Sequence, residues 1–220
     1  MPRPFLLFQR INCIHQKKRM RFFAKMIEKT MIYATIEKNG REGEDMRILE
    51  LPREKYDGYE LTFSYTSNAY YDLKLRASEN MFFAELVKTP CAPIRKEFSD
   101  PLFAPYWDDP HVFGLWNDDK MYGIMEVSPE KWNNRLRVTN LLVMEGYRRR
   151  GYGSLLLTKA KEIARAQGRR ALILETQSCN SGAIAFYLSQ GLTLMGFNSC
   201  EYSNNDIEKH EFRVEMGCLL

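Results

Sequence analysis

The spacing of hydrophobic and polar positions changes along this chain, and each change marks an element. Residues 60–87, ELTFSYTSNAYYDLKLRASENMFFAELV, alternate apolar and polar side chains and are rich in aromatics, with breaks at Ser-Asn and Ser-Glu-Asn. That period of two predicts two or three antiparallel strands. Upstream, MRILEL from Met46 reads as a short strand. Downstream, TPCAPIRKEFSDPLFAPYWDDP holds five prolines and reads as a connection with room for one short helix. VFGLWNDDKMYGIMEVS predicts two strands around an Asn-Asp-Asp turn, and NRLRVTNLLVM, 134–144, predicts another whose apolar end suits burial on both faces.

The spacing then lengthens to that of a helix. Leu155, Leu156, Ala160, Ile163, Ala164 and Gln167 fall on or beside one stripe, with Lys159, Lys161, Glu162 and Arg165 opposite. Gly168 supplies a left-handed stop. RALILET, 170–176, predicts a central strand. A second helix starts near Asn180, whose side chain can cap it, carries Ile184, Tyr187 and Leu188, and stops at Gly191. LTLMGFN and EFRVEMG predict two closing strands. Antiparallel strands thus precede a strand, helix, strand, helix, strand, strand series, with no internal repeat.

Composition narrows the class. A chain of 220 residues with 45% hydrophobic content suits one soluble domain, and no apolar run approaches the roughly 18 residues of a membrane span. Five cysteines without a CxxC pair predict reduced thiols and a cytoplasmic setting. His210-Glu211 begins like a zinc-protease helix signature, but Val214 occupies the second histidine's place, so no metal site is expected. The net charge of +4 is uneven: residues 1–45 hold ten Lys/Arg and five Asp/Glu, which leaves a net of −1 for the remainder. Basicity belongs to that leading arm, expected as a flexible or loosely docked extension to a domain spanning 46–220. Nucleic acid and membrane are therefore not the expected partners.

The chemistry concentrates at GYRRRGYGSLLL, 146–157, where three arginines meet a glycine pair and run into a helix. A strand, a glycine turn and a helix N-terminus offer unpaired backbone N–H groups and the positive end of the helix dipole to one point. Taken alone, the turn is open to three readings: a phosphate cradle, a nucleic-acid patch or a plain charged turn. Leu156 stands where a dinucleotide fingerprint needs its third glycine, and the Gly-Lys-Ser/Thr of a P-loop is absent.

Arg148-x-x-Gly151-x-Gly153 resembles the pyrophosphate loop of the GNAT acyl-CoA N-acyltransferases, Arg/Gln-x-x-Gly-x-Gly/Ala between that family's fourth strand and third helix. Asn180-Ser-Gly-Ala183-Ile-Ala-Phe186-Tyr187, then LSQGL, is similar to the family's second motif, Asn-x-x-Ala-x-x-Phe/Tyr-Tyr. The two motifs stand in the family's order and separation. The resemblance covers 110–217 closely and the chain from Met46 more loosely. LETQSCN and YSNNDIEKHEFRVEMG look most like the streptothricin acetyltransferase-like branch, and a similar run occurs in enzymes that acetylate the N-terminus of a ribosomal protein.

What the resemblance implies is an α+β, GNAT fold: a mixed, mostly antiparallel central sheet with helices on both faces and one splayed pair of parallel strands. It implies acetyl-CoA as co-substrate, with Leu142, Val143 and Met144 along the pantetheine arm. Arg148, Arg149, Arg150, Gly151, Tyr152, Gly153 and Ser154 are then expected around the pyrophosphate, and Asn180 and Ala183 on the pantetheine. Tyr187 is the expected acid for the departing thiolate and a cofactor contact. Glu175, twelve residues before it, and Glu126 are the candidate bases. Trp132 and Asn133 are candidate acceptor-pocket residues, beside the acidic turns Asp108-Asp109 and Asp118-Asp119. The implied acceptor is a small-molecule amine or a peptide N-terminus, handled by a monomer or homodimer; a non-catalytic acyl-CoA-binding module is the alternative.

Overall fold

The computed structural model describes residues 46–220, so the expectation for the basic arm 1–45 lies outside the described residues. In chain order the elements are β1 (Met46–Glu50), α1 (Arg53–Tyr56), β2 (Glu60–Ser78), β3 (Met81–Pro101), β4 (His111–Asn117), β5 (Lys120–Glu130) and, after a short 3-10 turn at Lys131–Asn133, β6 (Arg135–Val143). There follow α2 (Tyr152–Ala166), β7 (Ala171–Gln177), α3 (Ser181–Ser189), β8 (Thr193–Asn198) and β9 (Arg213–Leu219). One seven-stranded sheet runs β1-β4-β5-β6-β7-β9-β8, and β2 with β3 makes a separate ribbon. Every pairing is antiparallel except β6 with β7. This is the expected α+β arrangement.

Burial on both faces of the sheet follows from the alternation. On β4 and β5, Phe113, Leu115, Met125 and Val127 join the larger core cluster under α2, to which Leu156, Leu157, Ala160 and Ala164 belong. Their neighbours Val112 and Ile124 point the other way, to a smaller cluster with Leu51 and Tyr56 near α1 and with Leu102 and Phe103. A central strand covered on both sides needs no polar face, which is why β5 is buried from Gly123 to Pro129. The stripe of α2 is wider than expected and turned slightly. Leu157 is fully buried, Gln167 is exposed, and Lys159 is buried with its ammonium 3.6 Å from Glu162. Its stem lies on apolar surface while the charge reaches out.

The ribbon departs most from expectation. β3 runs straight through Pro90 and Pro93 to Pro101, where a connection with one short helix was expected. In a two-stranded ribbon each strand is an edge, so a proline can sit where no ladder N–H is needed, and Pro90 lies beside the irregularity between Ser67 and Ala69. The lower half of the ribbon lies across the ends of β7 and α3. Tyr71 N donates to Ser178 O at 3.0 Å, Ser67 Oγ meets Ser181 Oγ at 2.6 Å, and Tyr65 donates to Gln177 Oε1 at 2.6 Å. Tyr70 stacks on His210 with ring centroids 3.6 Å apart.

One departure from regular pairing creates the site. β6 pairs with β7 only through Arg135, Leu136 and Arg137 against Ala171, Leu172 and Ile173. Beyond that, β6 continues along β5 to Val143 and β7 continues along β9 to Gln177, so the two strands part into a fork. The register shift between Glu126 and Val127, which leaves Thr139 as an extra residue on β6, lies just past the parting point. A bulge adds twist to one strand and turns it away from its neighbour.

Candidate active site

The turn between β6 and α2 presents main-chain donors. Gly151 is the residue before the helix at φ 90° and ψ −7°, and Arg149 is also left-handed at φ 65°. Without a Cβ, Gly151 adopts this conformation at no steric cost. The amides of Ser154 and Leu155 close onto Gly151 O at 3.0 and 3.1 Å. Those of Arg149, Arg150, Gly151 and Gly153 donate to no acceptor among the described residues. Four donors at the positive end of a 15-residue helix form a concavity suited to an anion such as a diphosphate.

Gly153 has a different job. A Cβ there would lie 3.2 Å from Cζ of Phe186, so the start of α2 and the middle of α3 approach closely enough that any side chain would have to displace the Phe186 ring slightly. That contact ties the anion turn to the helix carrying Tyr187. Asn180 accepts the amide of Ala183 at 3.2 Å through Oδ1 and fixes where that helix begins. The amide of Ala183 is thereby used. Tyr187 itself is half-buried against Phe186, and its hydroxyl makes no hydrogen bond within the described residues. Desolvation pushes its phenol up to about 12. It therefore keeps its proton at neutral pH.

Backbone direction sorts the expected pantetheine residues. Met144 N donates to Tyr122 O at 2.9 Å, so Met144, and Leu142 two residues before it, turn their amides to β5. Val143 between them faces the fork, where its carbonyl accepts Arg148 Nε at 3.3 Å. Of the three, Val143 alone offers main chain to a ligand lying in the gap. Arg148 also donates to Ser64 O at 2.8 Å, clamping the ribbon to β6, and Arg150 lies over the Tyr147 ring. Tyr152 is buried edge-on to Tyr122.

The two candidate bases part company. Glu126 is fully buried, and its carboxylate accepts Phe103 N at 2.7 Å, Thr139 Oγ1 at 2.6 Å and Asn140 Nδ2 at 2.9 Å. With three donors on two oxygens and no exposed surface it is held as a structural carboxylate would be, in contrast to the expectation that it acts as base. Glu175 sits on β7 just past the parting point. Both of its ion pairs, with Arg137 at 3.3 Å and Arg213 at 2.7 Å, fall on Oε2, and Oε1 has no partner among the described residues. Burial raises its proton affinity above the ordinary carboxylate range, against the pull of Arg213 and Arg137. The surrounding walls are aromatic and acidic. Tyr106, bonded to Asp100, is raised by burial, by Asp100 and then by Glu126 and Glu175; Tyr202 is raised by burial and by Glu175.

Trp132 and Asn133 are not brought to the Val143 end of the fork, and Asn133 touches the Glu175 cluster only through Glu130. They precede β6 at its paired end, about 30 Å of strand from Val143 at 3.3 Å per residue. Trp132 is 86% exposed, and Asn133 donates to Glu130 at 3.0 Å and receives Arg170 on its carbonyl at 2.7 Å. The sequence reading also passed over Arg137, Arg213, Tyr106 and Tyr202. The alternation in RLRV does put Arg137 opposite the apolar face, yet a pattern of that kind usually means solvent; the tyrosines lie in connections with no spacing to read.

Comparison with known proteins adds independent findings. A sequence profile described as the acetyltransferase (GNAT) family matches residues 74–192. The streptothricin acetyltransferase of Streptomyces lavendulae is 32% identical over 102 residues, 46% of this chain and 54% of that protein, so the chain spans about half the length of this curated relative. A crystal structure of nourseothricin acetyltransferase superposes with a TM-score of 0.60 at 25% identity, covering 79% of this chain and 98% of the other. A Bacillus anthracis str. Ames protein described as a streptothricin acetyltransferase, solved in complex with acetyl coenzyme A, shares the fold at a TM-score of 0.63 and 21% identity, over 81% of this chain and 99% of that one.

Proposed function

The chain belongs to the acetyltransferase (GNAT) family, and from that membership we propose that it moves an acetyl group from acetyl-CoA to a primary amine of a small cationic acceptor of the streptothricin type, by direct attack in a ternary complex. The observation that carries this reading is the set of four unengaged amides, at Arg149, Arg150, Gly151 and Gly153, at the mouth of the β6/β7 fork. Donors so arranged fit the diphosphate of coenzyme A, and the gap beside Val143 fits an extended arm that pairs with strand main chain. Similarity to streptothricin and nourseothricin acetyltransferases supports the choice of acceptor class.

Bound acetyl-CoA supplies an activated thioester. The chain's own groups do the rest. Val143 N–H, turned into the fork, donates to the carbonyl oxygen as negative charge grows there. Glu175, through Oε1, takes the proton lost by the attacking amine, directly or across one water. Tyr187 gives its proton to the leaving sulfur; a phenol at about 12 is fully protonated at neutral pH and ready to donate. The acidic and aromatic surroundings of Glu175, with Asp100, Tyr106 and Tyr202, favour a positively charged acceptor.

The test is calorimetry with acetyl-CoA, followed by thiol release measured against streptothricin, a polyamine and a ribosomal-protein N-terminal peptide. Micromolar uptake and turnover with streptothricin are expected. No uptake would remove the reading altogether; uptake with turnover on the peptide alone would move the acceptor to a protein N-terminus.

A further inference from the structure

Four carboxylates and three guanidiniums meet where the fork opens. Glu130 pairs with Arg135 and Arg137, Glu215 with Arg137 and Arg213, Glu201 with Arg213, and Glu175 with Arg137 and Arg213. Arg137 is the centre. It is the last residue of β6 to pair with β7, its side chain is only 6% exposed, and its three donor nitrogens each take a different acid: Nε to Glu130 at 2.6 Å, one terminal nitrogen to Glu175 at 3.3 Å, the other to Glu215 at 3.1 Å. A planar fork that reaches three acceptors at once is a property of guanidinium and not of an ammonium.

We propose that Arg137 is a positioning residue for Glu175, holding its Oε2 at the apex of the fork so that Oε1 is the oxygen left free to meet the acceptor. The role rests on the reading of Glu175 as the base. With one more acid than base in the cluster, not every carboxylate can be fully compensated. Burial alone would raise Glu130 and Glu215, yet their bonds to Arg137, with help from Asn133 and Arg135 or from Arg213, bring both below the ordinary range. Glu175 is the member left with raised proton affinity. The groups that bear on it are Arg137 from β6, Arg213 and Glu215 from β9, Glu201 and Tyr202 from the β8–β9 connection, and Tyr106 from the β3–β4 connection. Arg137 and Arg213 each hold two further acids, but the Arg137 side chain is the more buried, 6% exposed against 18%. Its plane is set by Glu130 and Glu215, and it meets Oε2 of Glu175 from the β6 side of the parting point.

The sign of the effect is fixed. Arg137 favours the ionised form of Glu175, so its removal raises the proton affinity further, and a base that must be ionised then works only at higher pH. The experiment follows the Glu175 side-chain carbonyl by carbon-13 NMR during a pH titration of the whole chain, with Glu175→Gln identifying the resonance. Arg137→Gln should raise the midpoint by roughly one unit or more, the shift an adjacent charge produces. Arg137→Lys, which keeps the charge but reaches fewer acids, should raise it by less and serves alone if the glutamine variant fails to fold. A midpoint unmoved in every folded variant overturns the proposal. In parallel, kcat/KM for streptothricin against pH should show its acidic limb displaced by the same amount. If Glu175→Gln keeps that limb, Glu175 is not the base, and the NMR midpoint still decides what Arg137 does to it.

Discussion

Replacing Tyr187 by phenylalanine separates catalysis from binding with little structural disturbance. The hydroxyl makes no hydrogen bond within the described residues, and the ring, which packs against Phe186, is retained. Neither a buried partner nor a packing contact is lost, so the unfolding free energy should change by less than about 0.5 kcal/mol. The amides at Arg149, Arg150, Gly151 and Gly153 lie at the other helix, and acetyl-CoA affinity should stay within about twofold. Loss of a positioned proton donor costs about 100-fold to 10,000-fold in rate. At about 1.4 kcal/mol per tenfold, a 100-fold fall in kcat corresponds to about 2.7 kcal/mol. Because burial holds the phenol at about 12, the donor is protonated throughout the neutral range, and wild-type kcat should show no alkaline limb from this group up to about pH 10. The assay is stopped-flow thiol release with saturating acetyl-CoA, paired with calorimetric Kd for the same nucleotide. An unchanged kcat, or a Kd weakened as much as kcat/KM, would show that Tyr187 is no acid in this protein.

Three further perturbations probe separate parts of the site. Gly151→Ala forces a Cβ into the left-handed conformation at φ 90°, at a cost of about 1–2 kcal/mol, and should lower Tm and weaken acetyl-CoA in calorimetry; an unaltered Kd would mean the turn does not grip the nucleotide. Glu126→Gln places an amide donor among Phe103 N, Thr139 and Asn140 and should lower stability by about 1–3 kcal/mol in urea unfolding, while the folded fraction keeps kcat to within a few fold; a loss of kcat at unchanged stability would restore Glu126 as base. Trp132→Ala, at a side chain 86% exposed and at the far end of β6, should leave the acceptor KM unchanged; a rise of tenfold would return Trp132 to the acceptor pocket.

The amino-acid sequence by itself determined the elements and the turn chemistry, because both depend on neighbours in the chain. Alternation marked β4 and β5, the 3.6-residue stripe marked α2, and Asn180 and Gly191 bounded α3, each through forces acting within a few residues. The spacing of Gly151 and Gly153 marked the turn before α2 for the same reason. Only the tertiary structure decided the rest. The prolines at 90 and 93 signalled a break, yet β3 passes through them, because in a free ribbon a missing N–H leaves no partner unsatisfied. Glu126 and Glu175 look alike in sequence, two acids in strands. One is sealed by three donors drawn from elements far apart in the chain, and the other has its free oxygen beside a gap that exists only because two strands stop pairing after Arg137 and Ile173. Which acid faces the gap and which faces the core is a matter of desolvation and long-range partners, and no local pattern carries that.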